Sequence, residues 1–133
     1  MATFAELALI SAAVLAIGAV IERVRLRRYW QRTCTGVVWR RRFPQASKEQ
    51  LRLFLSLFAE AFAFSKSRRL CFSPDDRPLE IYKALYPFPR IMADSMELET
   101  FIQGIRDEFR VDLLPIWRED ITLGELYAAA TNA

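Results

Sequence analysis

Asp94 and Ser95 are the residues whose types and position most favour chemistry, because they come directly before a predicted helix. A serine at a helix N-terminus presents its hydroxyl to solvent. The free backbone N–H groups and the positive end of the helix dipole there favour an attached phosphate. Asp and Ser are also ordinary capping and first-turn residues. The pair therefore predicts either a phosphate attachment point or a simple helix start.

Most other side chains that perform covalent or metal chemistry are absent or isolated. The chain has 133 residues and no histidine, which excludes Ser-His-Asp and Cys-His nucleophile systems and histidine metal sites. The two cysteines, Cys34 and Cys71, cannot build a four-thiolate zinc site, and the four glycines are too scattered for a phosphate loop. We therefore expect a protein that is not an enzyme.

The helix predicted after Ser95 has one apolar side. Its apolar residues repeat at helical spacing: Leu98, Phe101, Ile102, Ile105 and Phe109. Acidic residues occupy other positions and are expected to bind a partner: Glu97, Glu99, Asp107 and Glu108. Such a helix would attract a protein with a basic surface, most strongly at low salt.

Residues 93–127 resemble the second half of acyl carrier proteins, which carry Asp-Ser-Leu at the start of their second helix. Asp94-Ser95-Met96 matches that motif, and Asp107-Glu108-Phe109 is similar to the end of the same helix. The resemblance implies an all-α four-helix bundle in which Ser95 holds 4'-phosphopantetheine through a phosphodiester. It also implies that Asp94 helps to hold Mg²⁺ during attachment, and that the acidic helix docks basic partner enzymes.

The chain departs from the carrier pattern in ways that keep a second hypothesis open. Met96 replaces the usual leucine, Arg106 and Arg110 dilute the acidic helix, and the net charge is +3 where carriers are usually strongly acidic. The alternative is a carrier-derived interaction module, such as an adaptor or an immunity-type protein, that has no prosthetic group.

The N-terminal part of the chain predicts a single transmembrane helix. Residues 4–24 are almost entirely apolar or small, close to the roughly 20 residues that cross a hydrocarbon core. Basic residues follow this run and none precedes it, which predicts an outside N-terminus and a cytoplasmic soluble domain. The chain also resembles a group of bacterial acyl-carrier-like proteins, which implies that this membrane is the bacterial inner membrane. The alternatives are a cleaved signal peptide, which would want a preceding positive segment, and a buried core helix.

Eight arginines and one acid lie between residues 22 and 42. The arginines nearest the apolar run are predicted to lie at the lipid headgroups: Arg23, Arg25, Arg27 and Arg28. Nucleic-acid binding by the basic run at residues 39–42 is the less favoured interpretation, because this segment adjoins an anchor. Nucleic acid is therefore not a predicted partner.

The remaining patterns predict the soluble elements. A capping box at Ser47 begins a helix over residues 47–64, and residues 65–69 form a loop before an extended piece at 70–72. A short helix begins near Pro78, and Thr122 with Glu125 caps a final helix. The predicted organisation is an anchor at 1–24, a basic juxtamembrane linker at 25–46 and an acyl-carrier-like helical domain at 47–130.

Overall fold

The computed structural model of the protein describes residues 3–85 and 96–132, with the backbone alone at residues 22 and 23. Within these ranges the chain forms helices and turns and no strand, so the predicted all-α class is confirmed. The α-helices are α1 (Phe4–Arg25), α2 (Arg27–Trp30), α3 (Gly36–Arg42), α4 (Lys48–Ala61), α5 (Pro78–Leu85), α6 (Met96–Phe109) and α7 (Leu123–Thr131). The 3₁₀ helices are η1 (Lys66–Cys71) and η2 (Leu114–Ile116).

Helix α1 is a 22-residue apolar helix that begins with reciprocal hydrogen bonds between Thr3 and Glu6. At 1.5 Å per residue it is about 33 Å long, enough to cross a hydrocarbon core. Its Phe4–Ile21 stretch has a mean hydropathy of 2.3, and none of it is buried against the rest of the described chain. That exposure argues against a buried core helix, whereas a signal sequence would have the same length and composition.

Helix α4 lies at the centre of the folded part that follows α1. Ser47 caps it as predicted, since its hydroxyl accepts the backbone N–H of Gln50 at 3.1 Å. The ring of Phe58 is centred 5.0 Å from the ring of Phe72 and 5.4 Å from the ring of Phe101. Helix α4 therefore packs against both α6 and η1 with its following residue.

Helices α6 and α7 close the core from the C-terminal part of the chain. The inward residues of α6 are Leu98, Phe101, Ile102 and Ile105, as their spacing predicts. The capping box at Thr122 and Glu125 is also confirmed. The first turn of α7 binds the turn before α5, because the N–H of Gly124 donates to the carbonyl of Pro74 at 2.8 Å.

The basic segment 25–46, predicted as a linker, is packed into the core. Leu26, Tyr29 and Trp39 are almost completely buried. The indole N–H of Trp39 donates to the carbonyl of Phe72 at 2.9 Å, and the hydroxyl of Thr35 donates to the same oxygen at 2.7 Å. The linker prediction weighed the arginines of this segment and not the aromatic residues among them, which the structure packs into the core.

The segment after α4 also differs from its prediction. Helix α4 ends at Ala61, where Ala63 takes a left-handed φ of 57° and the N–H of Phe64 donates back to the carbonyl of Ala59 at 2.8 Å. This pattern ends a helix tightly and returns Phe64 to the core. Residues predicted as a loop and an extended piece then form η1, whose N-cap is Ser65.

Candidate functional site

The predicted attachment residues, Asp94 and Ser95, lie outside the described residues. Helix α6 is described from the next residue, Met96, whose side chain is 62% exposed. The first turn of α6 is therefore open to solvent on at least one side. This is the environment that a group attached immediately before the helix would need.

The acidic residues of α6 fall on two sides of the helix. Glu97 and Glu108 are eleven residues apart, about three turns, and therefore lie on the same side. Glu97 is half-buried and Glu108 is exposed. Glu99 and Asp107 are exposed and border a shallow surface depression. The structure thus brings Glu99 and Asp107 to one surface and places Glu97 and Glu108 beside it.

The floor of that depression depends on a close approach between α4 and α6. A Cβ at Gly104 would lie 3.3 Å from the Cδ2 of Leu57 on α4. Thr100 and Gln103 complete the surface, and the amide of Gln103 donates to the carboxylate of Asp107 at 2.9 Å. This hydrogen bond fixes the position of Asp107 on the outer surface of α6.

Arg106 is the basic residue that the sequence predicts would dilute this acidic surface. One of its guanidinium nitrogens donates to Asp112 at 2.9 Å, and another donates to Gln103 at 3.0 Å. The backbone N–H of Leu114 and the guanidinium of Arg106 lower the pKa of Asp112. Asp112 was missed by the sequence argument, and it offsets the charge of Arg106.

An apolar rim borders the acidic surface. Leu114 of η2 is 57% exposed and lines a small cavity with Glu99, Ile102 and Arg106. Ile116 is also exposed, at 41%. Exposed apolar side chains with polar residues around them are one feature of surfaces that bind another protein.

The predicted membrane-surface arginines lie where α1 joins the folded part. Arg25, Arg27 and Arg28 are exposed, whereas the side chain of Arg23 is outside the described atoms. Arg28 donates to the hydroxyl of Tyr29 and, at 3.5 Å, to Glu80 of α5. Arg28 therefore also holds α2 against α5.

A further cavity of about 380 Å³ was not predicted. Phe43, Pro44 and Tyr127 supply much of its apolar wall, and Arg42 lies at its edge. Burial raises the pKa of Tyr127, whose hydroxyl lies 3.5 Å from the amide oxygen of Gln50. No sequence signal marked this cavity, because it forms between the end of α3, the start of α4 and α7.

No protein-family model, no curated protein and no solved structure matches this chain. Among residues 3–85 and 96–132, no group of three or more Cys, Asp or Glu side chains is placed to hold a metal ion. The candidate site is therefore defined by its own geometry: the start of α6, the acidic surface of that helix and the apolar rim beside it.

Proposed function

We propose that this protein is a membrane-tethered acyl-carrier-like protein. Helix α1 spans the inner membrane with its N-terminus outside, and the helical part lies in the cytoplasm. Ser95 carries 4'-phosphopantetheine, and the acids of α6 bind basic partner enzymes. The protein has no catalytic site of its own and presents acyl groups to enzymes at the membrane.

The observation that carries this proposal is the placement of α6. Helix α6, described from Met96 onward, turns its apolar residues inward, so that Glu99 and Asp107 remain exposed on the helix that follows Asp94-Ser95 in the sequence. Apart from η1 and α5, which lie between α4 and α6 in the chain, the order α4, α6, η2 and α7 is compatible with the four-helix bundle that the resemblance implies. When bound, the group would supply a thiol on a long flexible arm.

The attachment is tested by intact mass spectrometry of the full chain after co-expression with a phosphopantetheinyl transferase. The expected result is a mass gain of one phosphopantetheine group that Ser95→Ala abolishes. Thr100→Ala, an exposed hydroxyl on the same helix, is the matched control and should keep the gain. No gain in the unsubstituted chain, or a gain that survives Ser95→Ala, rejects the carrier proposal.

The tether is tested separately by fractionation of cells followed by alkaline extraction of the membranes. A chain held by α1 should stay with the extracted membrane at its full mass. Release by alkali would exclude a span, and loss of the N-terminal residues from the mature chain would identify a cleaved signal sequence instead.

The acidic surface with its apolar rim favours a second candidate, an interaction module without a prosthetic group. Its test is a photo-crosslinker at Gln103 in cells. If this candidate is right, the crosslinked product should disappear in a Glu99→Lys/Asp107→Lys chain. It should persist in a Glu49→Lys/Glu119→Lys control, and Ser95→Ala should leave its amount unchanged. A product unaffected by charge reversal on α6 would reject this candidate.

A further inference from the structure

A second basic cluster lies in η1, some forty residues along the chain from the arginines that follow α1. Lys66, Arg68 and Arg69 are three of the six residues of this 3₁₀ helix. The guanidinium carbon of Arg68 lies 4.5 Å from the centre of the Trp30 ring. The rings of Trp30 and Phe64 are centred 5.1 Å apart. These contacts hold η1 against α2.

Helix α2 connects this cluster to the end of the proposed membrane span. Leu26, the one residue between α1 and α2, is completely buried, so the end of α1 is fixed to the folded part. Helix α2 is a single turn, and its far end is therefore within about 10 Å of Arg25. The packing places η1 beside the point where the chain would leave the bilayer.

Most of the basic side chains on this surface form no ion pair with a described carboxylate. Lys66 pairs with Glu60 at 2.7 Å, and Arg28 pairs with Glu80 at 3.5 Å. Four further arginines form no ion pair with any described carboxylate: Arg25, Arg27, Arg68 and Arg69. The Nε of Arg69 is buried and has no hydrogen-bond partner among the described atoms. The surface therefore carries an excess of positive charge that would attract anions.

We infer that η1 and the start of α2 form a second membrane contact that holds the folded part against anionic lipid headgroups. This inference rests on the proposed tether. The basic surface comprises Arg25, Arg27, Arg28, Lys66, Arg68 and Arg69, and it binds lipid phosphates of the cytoplasmic leaflet. Its position beside an exposed apolar helix favours lipid over any other polyanion.

The contact would also orient the acidic surface of α6. Helix η1 and helix α6 both pack against α4, and the ring of Phe58 on α4 contacts both Phe72 and Phe101. Glu99 and Asp107 are exposed on α6, so a bilayer held at η1 would contact a different element from the one that carries these acids. The docked state would thus keep the α6 acids accessible to a basic partner.

The test measures how close η1 comes to lipid in the full chain reconstituted into vesicles. A fluorophore is attached at Ser67→Cys in a Cys34→Ser/Cys71→Ser background, with Thr100→Cys on α6 as the matched control site. Vesicles contain a headgroup-located quencher in either phosphatidylcholine alone or a mixture with phosphatidylglycerol. Circular dichroism verifies that each variant is folded.

Quenching at position 67 should be at least about twofold stronger in the anionic vesicles and should fall to the neutral level in about 1 M salt, where the Debye length shrinks to ~3 Å. Position 100 should show no such dependence. Lys66→Gln/Arg68→Gln should weaken docking by about fivefold for each residue removed. Arg40→Gln/Arg41→Gln removes the same charge elsewhere and should leave quenching unchanged.

The two failures are distinguishable. A chain that does not float with vesicles of either composition overturns the tether and this inference together. A chain that floats but shows equal quenching at position 67 in both lipids, or quenching that survives Lys66→Gln/Arg68→Gln, overturns the second contact and leaves the tether in place.

Discussion

Arg32 and Asp76 are joined by a two-pronged ion pair that ties the segment after α2 to the turn before α5. The second guanidinium nitrogen of Arg32 donates to the carboxylate at 2.9 Å, and the backbone N–H of Ser73 donates to it at 2.7 Å. Asp76 is only 8% exposed, and its hydrogen bond raises the pKa of Arg32. The pair makes the basic N-terminal segment part of the folded unit.

Asp76→Ala should therefore destabilise the protein strongly. The substitution leaves Arg32 and the N–H of Ser73 without their shared acceptor, and hydrogen bonds to charged groups contribute about 1.5–3 kcal/mol each. We expect a loss of at least ~2 kcal/mol in the free energy of unfolding, measured by denaturant unfolding of the full chain in detergent.

Asp75→Ala is the matched control, because the neighbouring aspartate forms an exposed ion pair with Arg42 at 2.7 Å. An exposed pair contributes about 0–1 kcal/mol. Equal losses of unfolding free energy for the two substitutions would show that the burial of the Asp76 carboxylate does not add to stability.

Trp39→Ala should be among the most destabilising changes in the segment once taken for a linker. Trp39 is fully buried, and its ring lies 5.8 Å from Tyr127 and 6.3 Å from Phe54. Removing a buried aromatic side chain costs about 3–5 kcal/mol. Val37→Ala, 58% exposed on the same helix, should change the unfolding free energy by less than about 1 kcal/mol. A small effect at Trp39 would instead favour the predicted linker.

Gly124→Ala should weaken the docking of α7. A Cβ at Gly124 would lie 3.0 Å from both the Cβ and the carbonyl oxygen of Pro74, and a backbone oxygen cannot move aside as a flexible side chain can. The expected loss is about 1–3 kcal/mol of unfolding free energy, as for other overpacked sites.

Gly18→Ala supplies the comparison for that prediction, because no atom lies within 4 Å of the new Cβ and alanine is a better helix former. Thermal unfolding in detergent should place Gly18→Ala at or above the unsubstituted chain and Gly124→Ala below it. The reverse order would be inconsistent with the observed contact.

Cys34 and Cys71 should react with iodoacetamide at different rates. Cys34 is exposed, whereas Cys71 is partly buried. Burial raises the pKa of the Cys71 thiol, with a smaller opposing effect from Arg68 and Arg32. A raised pKa means less thiolate at a given pH, so Cys71 should alkylate more slowly at pH 8 and should keep accelerating above pH 9.

Mass spectrometry of Cys34→Ser and Cys71→Ser chains follows each thiol alone. The raised pKa also implies that the folded state favours the protonated thiol of Cys71. The stability that this preference contributes is therefore lost as the pH rises through the alkaline range. Faster alkylation of Cys71 than of Cys34 at pH 8 would contradict the burial seen here.

The elements that the sequence predicted well are those with local signatures. At Ser47 and Thr122 the side-chain oxygen accepts a hydrogen bond from the backbone N–H three residues later. Such a hydrogen bond is local and does not depend on residues far away in the sequence. The apolar side of α6 likewise follows from spacing within one helix. The end of α4 was placed three residues late, because the left-handed turn at Ala63 has no glycine to mark it.

The candidate site was predicted in part. Exposure of Glu99, Asp107 and Glu108 is confirmed, and half-burial of Glu97 was not foreseen. The role of Asp112 in holding Arg106 was missed, since the two residues meet only across the turn after α6. The modification of Ser95, the membrane span and the partner stay predictions that the experiments above address.

The sequence by itself determined the helical class, the apolar N-terminal helix, the main caps and the inward positions of α4 and α6. Each of these depends on residues within a turn or two of one another. Only the tertiary structure decided that Trp39 joins the core, that Arg32 meets Asp76 and that η1 lies against α2. Those contacts join residues more than thirty positions apart, and no local pattern encodes which distant partner will complete a buried surface or satisfy a buried charge.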